Sequence, residues 1–242
     1  MKKLKYFLIL LVPIFFIVLS GCSDLAIHTT SNSYSPSGLV AVVKGKATKA
    51  SKLTYGLDGK QHTVQMNDGH FAFSVPVSSS EQDIKITASD GQQQVTKIIT
   101  IRSAKPIADY TSLAQEYNYY ALSSGSPTDQ IPLVAQDGIF KYTRPNGTVF
   151  HFNVQGSYLM GISVYSSLSN MKSKNGMKDF ETSLYSMSSL IGADSKSVLK
   201  NLNKQLKNAK DGNSSNMKQI SSNGIHYNIN LATNGIYIYI TK

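Results

Sequence analysis

Lys196, Lys200, Lys204, Lys207 and Lys210 recur three or four residues apart, with no acidic residue between positions 195 and 210. On a helix they fall within about 120° of one another, opposite an apolar stripe. Like charges four apart weaken a helix by roughly 0.2–0.5 kcal/mol per pair. A face with nothing to gain would interleave glutamate. The pattern therefore suits contact with an anionic surface, such as lipid head groups or a wall polyanion. The alternative is a solvated face in a lysine-rich chain. Tyrosine is the second candidate: 14 Tyr and no Trp, with Tyr117, Tyr119 and Tyr120 close together and Tyr237 and Tyr239 alternating with isoleucines. Rings on one sheet face stack on sugars or bury against a partner, or they simply cover the half-buried face of strands.

The histidines give less. His62 and His70 lie near Asp58 and Asp68 in sequence, but both aspartates sit in Asp-Gly turn signals, where the side chain bonds locally. His28, His151 and His226 have no partner at metal-ligand spacing. Asp179 and Glu181, two apart on a helix, point to different sides and make a poor acid–base pair. There is no His-Glu-x-x-His, no Gly-x-Ser-x-Gly and no phosphate loop. No metal, cofactor or catalytic residue is expected. Of the 24 basic residues only Arg102 and Arg144 are arginine, so the forked recognition of phosphate is scarce and nucleic acid is not an expected partner.

The single cysteine, Cys22, follows Met-Lys-Lys-Leu-Lys, an apolar run from Tyr6 to Leu19, and Ser20-Gly21. A charged start, a short apolar run interrupted by Pro13 and small residues before the cut describe a secretory signal over residues 1–21, too short for a membrane span. Leu19-Ser20-Gly21-Cys22 resembles the lipobox of bacterial lipoproteins. The resemblance implies cleavage before Cys22, a diacylglyceryl thioether on its sulfur and an extracytoplasmic, membrane-anchored product. Two or more acyl chains anchor stably where one does not. Loss of Lys2, Lys3 and Lys5 lowers the net charge from +10 to +7. The lysine bias and the abundance of Asn and Ser suggest an AT-rich genome and a Gram-positive envelope.

Residues 22–37 lack an apolar period and read as a flexible tether. Residues 38–104 carry short alternating runs with turn signals every 8–12 residues, including Asp58-Gly59, Asn67-Asp68-Gly69 and Asp90-Gly91. That density argues a small β-sandwich. Gly69 to Val77, followed by Ile84 to Ala88 and Asp90-Gly91, resembles bacterial Ig-like domains of surface proteins. The resemblance implies a spacer or accessory module. Residues 105–136 read as a linker. Leu113, Tyr117 and Tyr120 fit a short helix there, although tyrosine-rich segments also suit strands.

Residues 137–242 read as an α+β domain, an antiparallel sheet with two helices on one face. Tyr158, Met160, Ile162 and Val164 form its third strand, and Asn234-Gly235 turns the last hairpin. The helices follow the spacing of Met177, Phe180, Leu184, Met187 and Ile191, and of Val198, Leu202 and Leu206, the second capped by Asp194. The expected fold is thus an all-β Ig-like sandwich followed by an α+β domain. The expected function is a non-catalytic binding or display module at the cell envelope, with an envelope protein or wall polymer as partner. The rival readings are an envelope hydrolase or its accessory subunit, converging His151 or His226 with an acid and a serine, and a phage-exclusion or immunity lipoprotein.

Overall fold

The structure is a computed structural model and describes residues 24–210 and 217–242, with only the backbone of Lys210. Strands hold 45% of the described residues against 24% in helices, so the fold is β-rich and built mainly of antiparallel sheets. The strands of the first half are β1 (Ala26–Thr29), β2 (Ser33–Tyr34), β3 (Val40–Thr48), β4 (Lys52–Leu57), β5 (Lys60–Val64), β6 (Met66–Asn67), β7 (His70–Pro76), β8 (Gln82–Ser89) and β9 (Gln94–Ile101). They form one sheet in the order β1-β3-β7-β6 and another in the order β2-β9-β8-β4-β5. Ala41, Val43, Phe71 and Val75 from the first sheet share one buried cluster with Leu53, Ile84, Ile86 and Ile99 from the second. Two sheets closing over one core make a sandwich. Asp58-Gly59 and Asp68-Gly69 both adopt positive φ and close two-residue hairpins, as their sequence signals.

The expected tether is instead part of this sandwich. β1 pairs with β3, β2 runs parallel to β9, and Leu25 and Tyr34 are buried in the core. Strands this short lack a visible period, and their pairing comes from neighbours distant in sequence. The Tyr34 hydroxyl donates to the Lys44 carbonyl at 3.2 Å, which fixes the crossover between the sheets.

The second half holds β10 (Ala108–Asp109), α1 (Tyr110–Ser123), β11 (Gly138–Thr143), β12 (Val149–Gln155), β13 (Tyr158–Ser167), α2 (Leu168–Lys172), α3 (Lys174–Leu190), α4 (Ser195–Lys210), β14 (Ile220–Ser222), β15 (Ile225–Ala232) and β16 (Gly235–Thr241). The sheet order is β11-β12-β13-β16-β15-β14, with β10 beside β13. Phe150, Phe152, Ile162, Val164, Ile238 and Ile240 face Tyr110, Phe180, Leu184, Val198 and Leu202 of α1, α3 and α4 in one core. Among the described residues of 137–242 there are three helices, α2, α3 and α4, rather than two, and α1 forms where Leu113 and Tyr117 fit a short helix. The expected linker is folded too. Asp109 caps α1 by accepting from the Ser112 amide, Tyr110 and Tyr117 are buried, and the Asn118 side chain both donates to and accepts from the Ile131 backbone at 2.8 Å. Tyr120 is exposed.

Two readings of local register are corrected. Asn153 pairs with Gly161 and Val154 with Leu159, which leaves Met160 as the extra residue of a bulge. The bulge turns Met160 out of the sheet's own core and into the core of the sandwich. Gly235 is not a turn residue: it pairs with Ala232, so Thr233-Asn234 makes the turn. A Cβ at Gly235 would lie 2.3 Å from the Ser166 carbonyl, which explains the glycine.

Candidate functional site

The seven-stranded sheet has one face on the helices and one face turned toward the sandwich. Residues directly opposite on neighbouring strands share a face. Lys141, His151, Ser163, Tyr239 and Asn228 are successive partners across β11, β12, β13, β16 and β15, and so form one row on the second face. The next row carries Tyr165, Tyr237 and Asn230. The sandwich packs on this face at Asn153 and at Tyr239. Asn153, fully buried, donates from its amide to the carbonyls of Leu39 at 3.0 Å and Val77 at 2.8 Å. Gly38, at φ +67°, approaches the Tyr239 ring so closely that a Cβ would lie 3.0 Å from it. Both its handedness and the contact call for glycine.

The uncovered remainder is a cleft of about 1090 Å³ between Pro36–Val42 and Ser103–Lys105 on one side and His151, Ser163, Asn228, Asn230, Tyr237 and Tyr239 on the other. No Asp or Glu side chain lines it. The rings of Tyr165 and Tyr237 lie 4.5 Å apart, and those of Tyr237 and Tyr239 lie 6.5 Å apart and nearly parallel. Ser163 is only 5% exposed, and neither it nor His151, Asn230 or the Tyr239 hydroxyl has a side-chain hydrogen bond among the described residues. Burial, with Lys141 alongside, pushes the His151 imidazole below its ordinary range, so it is neutral at pH 7 and offers one donor and one acceptor.

A second polar cluster sits on the helix side of the sheet. Asp129 accepts from the hydroxyls of Tyr117 at 3.0 Å and Tyr142 at 2.8 Å, and from the Arg144 Nε at 2.8 Å. Arg144 also pairs with Asp129 through Nη2 and donates to Ser183, whose hydroxyl donates onward to the Asp179 carbonyl at 2.7 Å. Burial on its own would raise the Asp129 carboxyl; Arg144 and the two phenols outweigh it and hold the group below the ordinary carboxylate range. The same burial and the adjacent carboxylate push Tyr117 and Tyr142 up. Every member is occupied by another, so the cluster is a fastening between α1, α3, β11 and the loop before it. Asp129 lies in a Ser/Gly/Pro loop, and nothing in the sequence pairs it with Arg144.

The other candidates are dispersed. Lys196, Lys200, Lys204 and Lys207 are exposed on α4; of Lys210 only the backbone is described. Cys22 and its motif Leu19, Ser20 and Gly21 lie outside the described residues. Tyr119 and Tyr120 are exposed on α1, remote in chain position from the tyrosine rows, whereas Tyr117 is spent on Asp129. His62 stacks on Tyr55 at 4.9 Å, and Asp58 and Asp68 turn the chain at opposite ends of the sandwich. His226 Nδ1 lies 2.9 Å from the Ser221 hydroxyl, beside a hollow lined by Asn201, Lys204, Gln205 and Lys218 but no carboxylate. Glu181 accepts from Asn203. Among the described residues no cluster of three or more potential metal ligands occurs, and no helix is long and apolar enough to cross a membrane. No family model and no curated protein matches the chain.

Proposed function

We propose that the chain is an extracytoplasmic lipoprotein, anchored through a diacylglyceryl group on Cys22, whose folded part displays a ligand-binding cleft at the cell envelope. In this reading the two-sheet unit is an Ig-like spacer. The single observation that carries the binding role is the row His151, Ser163, Tyr239 and Asn228, which lines an open cleft with neutral hydrogen-bonding groups and no Asp or Glu side chain. Such a lining holds a ligand, while proton transfer to a leaving group would call for an acid beside it.

The path of the chain supports display. Leu25 is already in the sandwich core, so only Ser23 and Asp24 separate Cys22 from it. Ala26 pairs with Thr48 at one end of β3, whereas Val40, at the other end, adjoins the cleft. Nine strand residues span about 30 Å. The anchor and the cleft would thus lie at opposite ends of the sandwich, with the sheet between the cleft and α4. The lysines of α4 would then face away from the anchoring bilayer, which favours a wall polyanion over lipid as their anionic partner.

Cys22→Ala is the test. Fractionation of cells should find the wild type in membranes and the variant released, and membrane association that survives the substitution would end the anchoring reading.

A further inference from the structure

We infer that the cleft between the sandwich and the open sheet face binds a glycan of N-acetylated amino sugars. The inference deepens the envelope-binding reading above and rests on it. Ser163, 95% buried, lines the cleft with no side-chain partner among the described residues, and His151, Asn230 and the Tyr239 hydroxyl line it likewise unpaired. Open to solvent in the cleft, these groups are free to bond a ligand.

The chemistry of the lining narrows the class. The Tyr237 and Tyr239 rings, nearly parallel, suit the C–H face of a sugar ring. The Asn230 amide and a neutral His151 each offer a donor and an acceptor, as an acetamido group requires. Lys105 in the cleft and Lys141 in the row beside it, with no opposing Asp or Glu, accept carboxylates carried on such a glycan and repel cations. An extended peptide would seek free backbone groups at a strand edge. β13 and β16 are interior strands paired on both sides, so only side chains are on offer.

The test is titration calorimetry on the full-length protein in detergent, with chitotetraose as the probe and cellotetraose, which has the same rings without acetamido groups, as the comparison. Chitotetraose should bind, cellotetraose should bind at least about tenfold more weakly, and Tyr239→Ala and Asn230→Ala should each cost about tenfold. Tyr120→Ala, on the exposed face of α1, should bind as wild type. Should Tyr239→Ala lose its thermal transition, because Gly38 packs on that ring, the exposed Asn230 still carries the test. No binding of chitotetraose, equal binding of both sugars, or unchanged binding by Asn230→Ala overturns the assignment. So does displacement of the sugar by an unstructured acidic peptide. Membrane fractionation of the same cells separates the failures: anchored protein that ignores the sugar sinks the ligand alone, whereas soluble protein sinks the lipoprotein reading.

Discussion

Two groups of polar side chains lie on opposite faces of one sheet, and they differ in how their hydrogen bonds are used. On the helix face Asp129, Arg144, Tyr117, Tyr142 and Ser183 satisfy one another. On the sandwich face His151, Ser163, Asn230 and Tyr239 satisfy no one. The closed network takes only Tyr142 from a strand and the rest from α1, α3 and loops, whereas the open row stands on β12, β13, β15 and β16 with no helix over it. Burial of a polar group is tolerated where it is paired. The closed network has the character of a fastening and the open row that of a receptor, and substitutions should separate the two by what they damage.

The largest effect belongs to the closed network. Asp129→Ala leaves the Arg144 guanidinium buried without its counter-ion and strips two phenols of their acceptor; removing one partner of a buried pair typically costs about 3–5 kcal/mol. Urea unfolding should show that loss at pH 7. The carboxyl is held below its unfolded range, so its contribution is complete above the ordinary carboxylate pKa and is lost as the pH falls through the lowered folded value. Wild type and variant should therefore converge in strong acid. A gap that persists there would show that Asp129 acts through packing instead.

What the sequence disclosed follows the same division. Hairpins at Asp58-Gly59 and Asp68-Gly69, the apolar stripes of α3 and α4 and the alternation of β12 and β16 are local signals, and they are where the reading places them. Residues 26–34 read as a tether, and residues 124–131 as a loop beside the short helix, because what orders them is remote: Ala26 opposite Thr48, Tyr34 on Lys44, Asn118 on Ile131. Tyr237 and Tyr239 could be marked as candidates from their alternation. Ser163, Asn228 and Asn230 could not, because only the register across three strands brings them together. The Met160 bulge is invisible to a period of two.

Asn153 stands between the two groups, on the sandwich face yet satisfied. Asn153→Ala deletes the bonds to Leu39 and Val77; the Leu39 carbonyl keeps the Val77 amide as donor while the Val77 carbonyl loses the Asn153 amide, a loss of about 1–3 kcal/mol. The decisive measurement is local. Hydrogen exchange should rise in residues 36–42 and 76–78 while the helix-side core stays protected. Uniform loss of protection would mean that the sandwich and the sheet unfold as one unit, and that the cleft wall is not a separate contact.

The smallest expected effect on stability is at His151, and there the two functions should come apart. Its imidazole is half-exposed, so solvent screens most of what titration does to the fold. Burial opposes its protonation most, and Lys141 on the neighbouring strand adds to this; Lys105 and Lys242 also line the cleft. The folded value lies below the unfolded one, so its contribution to stability is complete above about 6.5 and falls away as the pH drops through the lowered value. Chitotetraose affinity should follow the same window more steeply, because the protonated ring can no longer accept a hydrogen bond from the acetamido N–H. His151→Gln, which keeps a donor and an acceptor without titrating, should bind with an affinity that is flat across that window while melting like the wild type at pH 7. If its affinity still falls with acid, the proton is being taken up elsewhere, and the row loses the member that gives it its chemistry.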